Sequence, residues 1–240
     1  MSAPSALAEP TVRPGKGWVA GMCLLNAGIM VAFFVPIQVL LAQQSELIVP
    51  GAKEVTLAWT TAAGALASTI FNPVWGALSD RTLSRFGRRV PWVFAGALAS
   101  AAALLFLSTA VTLPVLVIGW VLCQTAINAI FAPIVAAVPD QVPVATRGVI
   151  GGLVAMSQTL GVALGSAIPM LTDSIQTGYI VVVVILVVSA VPYLLHSRDV
   201  QLTRAEYDFA QNRDEQRRRL PIDATMKADF RWAFITRFLM

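Results

Sequence analysis

Six long runs without a charged side chain dominate this 240-residue chain. They cover residues 18–42, 55–78, 90–113, 114–138, 148–171 and 179–195. A helix needs about 17–25 mostly apolar residues to cross the hydrocarbon core, so each run predicts one membrane-spanning helix. The third and fourth runs form one uninterrupted uncharged stretch. Thr112-Leu113-Pro114 is its only break, and proline suits the first turn of a new helix, so a tight connection is expected there.

Composition agrees. The chain is 57% hydrophobic and 12% charged, with a mean hydropathy of +0.72. Soluble domains carry about 25% charged residues. The net charge of +4 and pI near 9.5 do not indicate nucleic acid, because the basic residues sit in short loops and one linker beside the apolar runs. Cys23 and Cys123 both lie inside such runs, without CxxC or Cys/His spacing. No metal site and no cofactor are expected. His196, the single histidine, reads as an interfacial residue at the end of a run. The first run is too long for a signal-peptide core and lacks a cleavage site at its end, so it is expected to stay as the first helix.

Lysine and arginine set the orientation. With the N-terminus inside, fifteen of the 17 basic residues fall on the inner side. Lys53 alone falls outside, and Arg237 lies in a further apolar run. That asymmetry predicts both ends of the six-helix unit in the cytoplasm. Residues 197–230 read as a charged cytoplasmic linker, with a basic cluster at 213–219 that is either solvated or lies on anionic headgroups. A short surface helix is expected from Arg204. Residues 231–240 turn apolar again and are too few to span, so they read as the truncated start of a seventh helix.

Residues 76–89 carry the most specific pattern: four arginines, Asp80, Gly76 and Gly87 between two uncharged runs. Gly76 offers room for a close helix contact. Asp80 can accept charge-assisted hydrogen bonds from Arg88 or Arg89. A second loop, 139–148, places Asp140 and Arg147 on the same side, so Asp140 is a further partner for Arg88 or Arg89. Breaking and re-forming such a pair is a way to build a gate. The competing reading is that the arginines only set topology and Asp140 lies in a solvated turn.

The Gly-x-x-x-Asp-Arg…Gly-Arg-Arg pattern resembles the signature loop between the second and third helices of major facilitator superfamily transporters. The 139–148 loop is similar to that family's inner loop between helices four and five. The resemblance implies an all-α membrane protein: a six-helix bundle of two inverted three-helix repeats, the N-terminal half of a major facilitator fold. It implies domains at 1–196 (bundle), 197–230 (linker) and 231–240 (start of helix seven). It also implies transport by alternating access, with Gly76, Asp80, Arg81, Gly87, Arg88, Arg89, Asp140 and Arg147 as the gating latch. Five residues, 82–86, stand where the commonest motif has one. That longer form is similar to the loop of glycoside–pentoside–hexuronide:cation symporters and sucrose transporters, which implies a sugar or similar neutral cargo.

Polar residues inside the runs are few. Gln124 and Asn128 share a face of helix four, Thr61, Ser68 and Asn72 form a thin stripe on helix two, and Gln158 lies in helix five. Asn26 and Gln38 lie in helix one. Amides in hydrocarbon must find partners or a cavity. In the family that is resembled, helices one and four line the cavity, which makes Asn26, Gln38, Gln124 and Asn128 the substrate-cavity candidates. Interhelical bonding is the equal alternative for each. Gly161-x-x-x-Gly165 predicts a close helix–helix contact. With Gly152 it also resembles the glycine-rich motif of drug:proton antiporters, but Ser166 follows Gly165 where that motif has proline. None of the six runs contains a carboxylate for a proton or sodium site. No HExxH, Ser/His or carboxylate pair lies in them, so no enzyme is expected.

The expected protein is thus a multi-pass transporter of the plasma membrane (a bacterial inner membrane), N-terminus inside. Its expected partners are a small-molecule solute, the lipid bilayer, and a missing C-terminal six-helix half or a second membrane subunit. Nucleic acid is not among them. The alternatives are a multidrug efflux transporter of the same superfamily and a non-transporting membrane subunit.

Overall fold

A computed structural model of the chain describes residues 8–197, 199 and 201–209. Among these, every regular element is helical. Helix α1 (Lys16–Val35) runs through a π-helical turn (Pro36–Leu40) into α2 (Leu41–Ile48), making one rod of 33 residues. There follow α3 (Lys53–Asp80), α4 (Val90–Ser108), α5 (Leu113–Gln141), α6 (Val144–Gly165) and α7 (Ile175–His196). Six rods therefore stand where six apolar runs were read. Residues 210–240, with most of the expected linker and the expected start of a seventh helix, lie outside the described residues.

Boundaries differ from expectation for local reasons. Helix α4 ends at Ser108, several residues before the expected break. Ser108 and Thr109 hydroxyls donate back to the carbonyls of Leu105 and Phe106, which competes with further helix. Thr112 is then extended as the N-cap of α5, with Pro114 in the first turn. The first rod continues past Ala42 to Ile48 and carries a π turn at Pro36. Proline lacks the amide hydrogen and crowds the preceding turn, and the wider π turn absorbs both.

Five rods are apolar enough to cross a membrane by length and composition; α3 is not among them, although it has 28 residues. Its hydropathy is lowered by Thr56, Thr60, Thr61, Ser68, Thr69 and Asn72. Most of these are absorbed internally. The three hydroxyls at 60, 61 and 69 bond carbonyls one turn back, while Ser68 and Asn72 bond α5.

The packing has an internal symmetry. The main packed pairs are α3–α5, α1–α7, α4–α5, α1–α6 and α4–α7, with a smaller α1–α5 contact. Exchanging the first three rods for the last three turns α3–α5 into α6–α1 and α1–α7 into α5–α4. It leaves α4–α7 and α1–α5 unchanged. Odd-numbered repeats of three helices must have opposite membrane orientation, so this is the arrangement of two inverted three-helix repeats. Helices α1 and α5 form the centre, and α3 and α6 lie at the periphery.

Lipid offers no hydrophobic drive between helices, so close approach matters. A Cβ on Gly161 would lie 2.9 Å from Ala27 Cα and 3.0 Å from Ala27 C, so α6 rests directly on the α1 backbone. Gly21 does the same for α1 against the backbone of Tyr193 in α7. Gly76 does not fit its expected role. A Cβ there would meet only Ala132 Cβ, at 4.0 Å, which is ordinary contact.

The chain divides into two units, Met1–Leu202 and Thr203–Met240. In the second, residues 204–209 form a short helix. Thr203 and Glu206 close its start as a capping box: Glu206 Oε2 accepts from Thr203 N–H, and Thr203 Oγ1 from Glu206 N–H.

Candidate functional site: an ion cluster and a polar seam

Helix α3 ends at Asp80, and α5 carries Asp140 one residue before its last, Gln141. A carboxylate at a helix C-terminus is disfavoured by the partial negative charge of the free carbonyls. Arg89, the N-cap of α4, answers both. Its Nη2 lies 2.5 Å from Asp80 Oδ1 and 2.8 Å from Asp140 Oδ2, and its Nε donates to Asp140 Oδ2 at 2.9 Å. Its Nη1 donates to Ser79 Oγ. Arg88 Nη2 takes the other oxygen of Asp140 at 2.8 Å. The Arg89 side chain is 2% exposed, against 19% for Asp140 and 57% for Asp80. Burial opposes charge on Arg89, but the charges and hydrogen bonds of Asp140 and Asp80 hold its pKa above the ordinary arginine value.

Arg147 works at the same end. It donates from Nε to Val142 O and from Nη2 to Pro139 O, capping the last carbonyls of α5, and it lies 3.7 Å from Glu9 Oε1. Arg81 is exposed. Gly87 turns the loop with φ +89°, a left-handed conformation that costs glycine nothing.

A seam of polar side chains joins α3 to α5. Ser68 Oγ donates to Gln124 Oε1, and Asn128 Nδ2 donates to Ser68 Oγ at 2.9 Å and to Gln124 O at 2.7 Å. Asn72 Nδ2 donates to Asn128 Oδ1 at 2.8 Å, and Trp75 Nε1 to Thr125 O at 2.8 Å. Asn26 similarly ties α1 to α6: it donates to Met22 O and accepts from Gln158 Nε2 at 2.8 Å.

The four cavity candidates thus separate. Asn26 and Asn128 are buried and have both ends of their amides bonded: Asn26 donates within α1 and accepts from α6, while Asn128 bonds α3 at both ends and also donates within α5. Gln124 spends its carbonyl on Ser68, which leaves its NH2 group outside these bonds. Gln38 is exposed, on the π turn.

The chain matches the Major Facilitator Superfamily model over residues 17–239. It belongs to this superfamily. As a major facilitator chain, it is a multi-pass membrane protein of a secondary-transporter family, and its six rods form a partial bundle of that fold. No curated protein matches it.

Three participants were not legible beforehand. Ser79 is buried beneath Arg89, donating to Gly76 O while accepting from Nη1. Asp199, beyond α7, accepts the Arg89 backbone N–H at 2.5 Å. Burial raises its pKa above the ordinary carboxylate value, against the lowering by that N–H and by Arg88. Gln201 Nε2 donates to Arg85 O at 2.6 Å. No pattern in the sequence ties Asp199 to the loop.

Proposed function

We propose that this major facilitator chain forms the N-terminal six-helix half of a secondary transporter for a small neutral polar solute, of the sugar type. In this reading the Arg88/Arg89 cluster is the cytoplasmic latch, in the plasma membrane, with the N-terminus inside. The observation that carries the latch is the burial of Arg89 between two helix-end carboxylates. If α4 shifts against α3 and α5, both carboxylates lose their cation at an unfavourable helix end, so the closed arrangement is a discrete state rather than a soft one. The peripheral helices supply the place for a second bundle. Helix α6 exposes Val149, Leu153, Met156, Leu160 and Leu164, and α3 exposes Val55, Trp59, Leu66 and Ile70.

The cargo class rests on chemistry. The six runs offer a solute amides and hydroxyls but no charge. The amide NH2 of Gln124 and the exposed Gln38 are the groups free to bond a solute hydroxyl. The similarity of the 76–89 loop to that of sugar symporters points the same way.

The test is flux into proteoliposomes holding this bundle with its complementary half, using a panel of neutral sugars and a panel of lipophilic cationic dyes. Saturable sugar flux is expected, with KM raised about 2–10-fold by Gln38→Ala or Gln124→Leu, the loss of one neutral hydrogen bond. Saturable dye flux without sugar flux would make this an efflux transporter instead. No saturable flux of either would favour a non-transporting subunit.

A further inference from the structure

Residues just beyond α7 are seated on the α3–α4 loop. Asp199 Oδ2 accepts the N–H of Arg89, the residue whose side chain holds Asp80 and Asp140. Two residues on, Gln201 Nε2 donates to Arg85 O on the other flank of the same loop. Between these anchors lies Gly87. A Cβ there would stand 2.6 Å from Asp199 Cγ and 2.7 Å from Oδ2, closer than real atoms approach, so any other residue would push Asp199 away. Gly87 therefore does two things: its φ of +89° turns the loop, and its missing side chain makes the seat for Asp199.

We infer that Asp199 is a positioning residue of the latch, a strut by which the start of the linker holds Arg89 in register with Asp80 and Asp140. It acts through the Arg89 backbone, whereas Asp80 and Asp140 hold the guanidinium. Arg89 is thus gripped at both ends, main chain and side chain, by acids from three different places in the chain. Two consequences follow. Release of the linker from the loop frees the Arg89 backbone, and release of the ion cluster lets the loop leave the linker. Coupling between two sites is reciprocal by thermodynamic necessity, so each event promotes the other. The linker is thereby a place where a cytoplasmic event reaches the gate.

The inference rests on the latch reading of the loop, and its test separates the two. The full chain in nanodiscs is followed by amide hydrogen exchange. Asp199→Ala should speed exchange in the peptide spanning 82–92 at least about fivefold, and Gly87→Ala should do the same by displacing Asp199. The double variant should be no faster than Gly87→Ala alone, since Gly87→Ala strains the turn and already displaces Asp199, leaving no contact for Asp199→Ala to break. Asp199→Asn keeps an acceptor oxygen and should restore slow exchange. In the reverse direction, Asp140→Asn should speed exchange in the peptide carrying Asp199 and Gln201, which a purely local role for Asp199 would not do. Unchanged exchange at 82–92 in Asp199→Ala overturns the strut. So does additivity of the two single variants, or a linker peptide blind to Asp140→Asn. If Asp199→Ala loosens every helix alike, Asp199→Asn decides: general loosening there as well contradicts a strut that needs only an acceptor. Failure of the latch reading looks different: linker and loop remain coupled, but solute flux is indifferent to both.

Discussion

Asp140 divides its carboxylate between two consecutive arginines, with Arg88 on Oδ1 at 2.8 Å and Arg89 on Oδ2 at 2.8–2.9 Å. Among the described residues Asp80 pairs with Arg89 alone, and from a far more exposed position. The acids are therefore unequal, although both sit at helix ends. Asp140→Asn strands a buried guanidinium beside one remaining, exposed carboxylate, and is expected to cost up to about 3–5 kcal/mol. Asp80→Asn, losing a pair that water already screens, should cost about 1 kcal/mol or less. Thermal unfolding of the two variants in detergent, at matched lipid content, checks the order. Equal losses would show that exposure does not rank the cluster.

Helix α6 offers an internal control for close packing. Gly161→Ala forces a Cβ into the Ala27 backbone and is expected to destabilise by about 1–3 kcal/mol. At Gly152 nothing lies within 4 Å of a built Cβ, so Gly152→Ala should be neutral or stabilise by about 0.5–1 kcal/mol through helix propensity. Unfolding midpoints of both variants measure it. A Gly161→Ala variant as stable as the parent would remove the α1–α6 contact from the account.

Asp199 gives a pH signature. Burial raises its folded-state pKa above the unfolded value, so its contribution to stability is present below the unfolded carboxylate pKa and lost as pH rises through the folded one. Asp199→Asn cannot titrate. The stability of this variant relative to the parent should therefore rise as pH increases from about 4 towards 7. Melting temperatures across that range give the slope, and a falling difference would mean that Arg88 and Arg89 outweigh burial at this site.

Much of the fold could be read from charge and hydropathy, because a span without charge has few alternatives to a membrane helix. The six runs became six rods, and the acid–arginine partners at 80, 89 and 140 followed from loops placed on one side. Proline and hydroxyl side chains moved the boundaries, as at Pro36 and Ser108, since backbone competition is settled within a turn. The amides were less legible. Composition shows that Asn26 and Asn128 must be satisfied, but only the packing shows that neighbouring helices satisfy them. Gly76 read as a close contact because it has no side chain, but a Cβ there would be in ordinary contact with Ala132 rather than excluded by it. Asp199 was hidden because a hydrogen bond 110 residues long in sequence leaves no local pattern.

Ser79 reports directly on the closed cytoplasmic latch proposed for the Arg89 cluster. Ser79 is fully buried under the Arg89 guanidinium, whereas Ser84 is half-buried on the α3–α4 loop. Single cysteines at these positions, in an otherwise cysteine-free chain in sealed vesicles, are to be labelled with a membrane-impermeant maleimide. The Ser84→Cys variant should react only from the cytoplasmic side, and a probe at Gly51 only from outside. Ser79→Cys should react at least about tenfold more slowly than Ser84→Cys, and the gap should close when Asp140→Asn is added. Equal rates at 79 and 84 in the parent background, or a Ser84→Cys that labels from outside, would contradict the latch and its orientation.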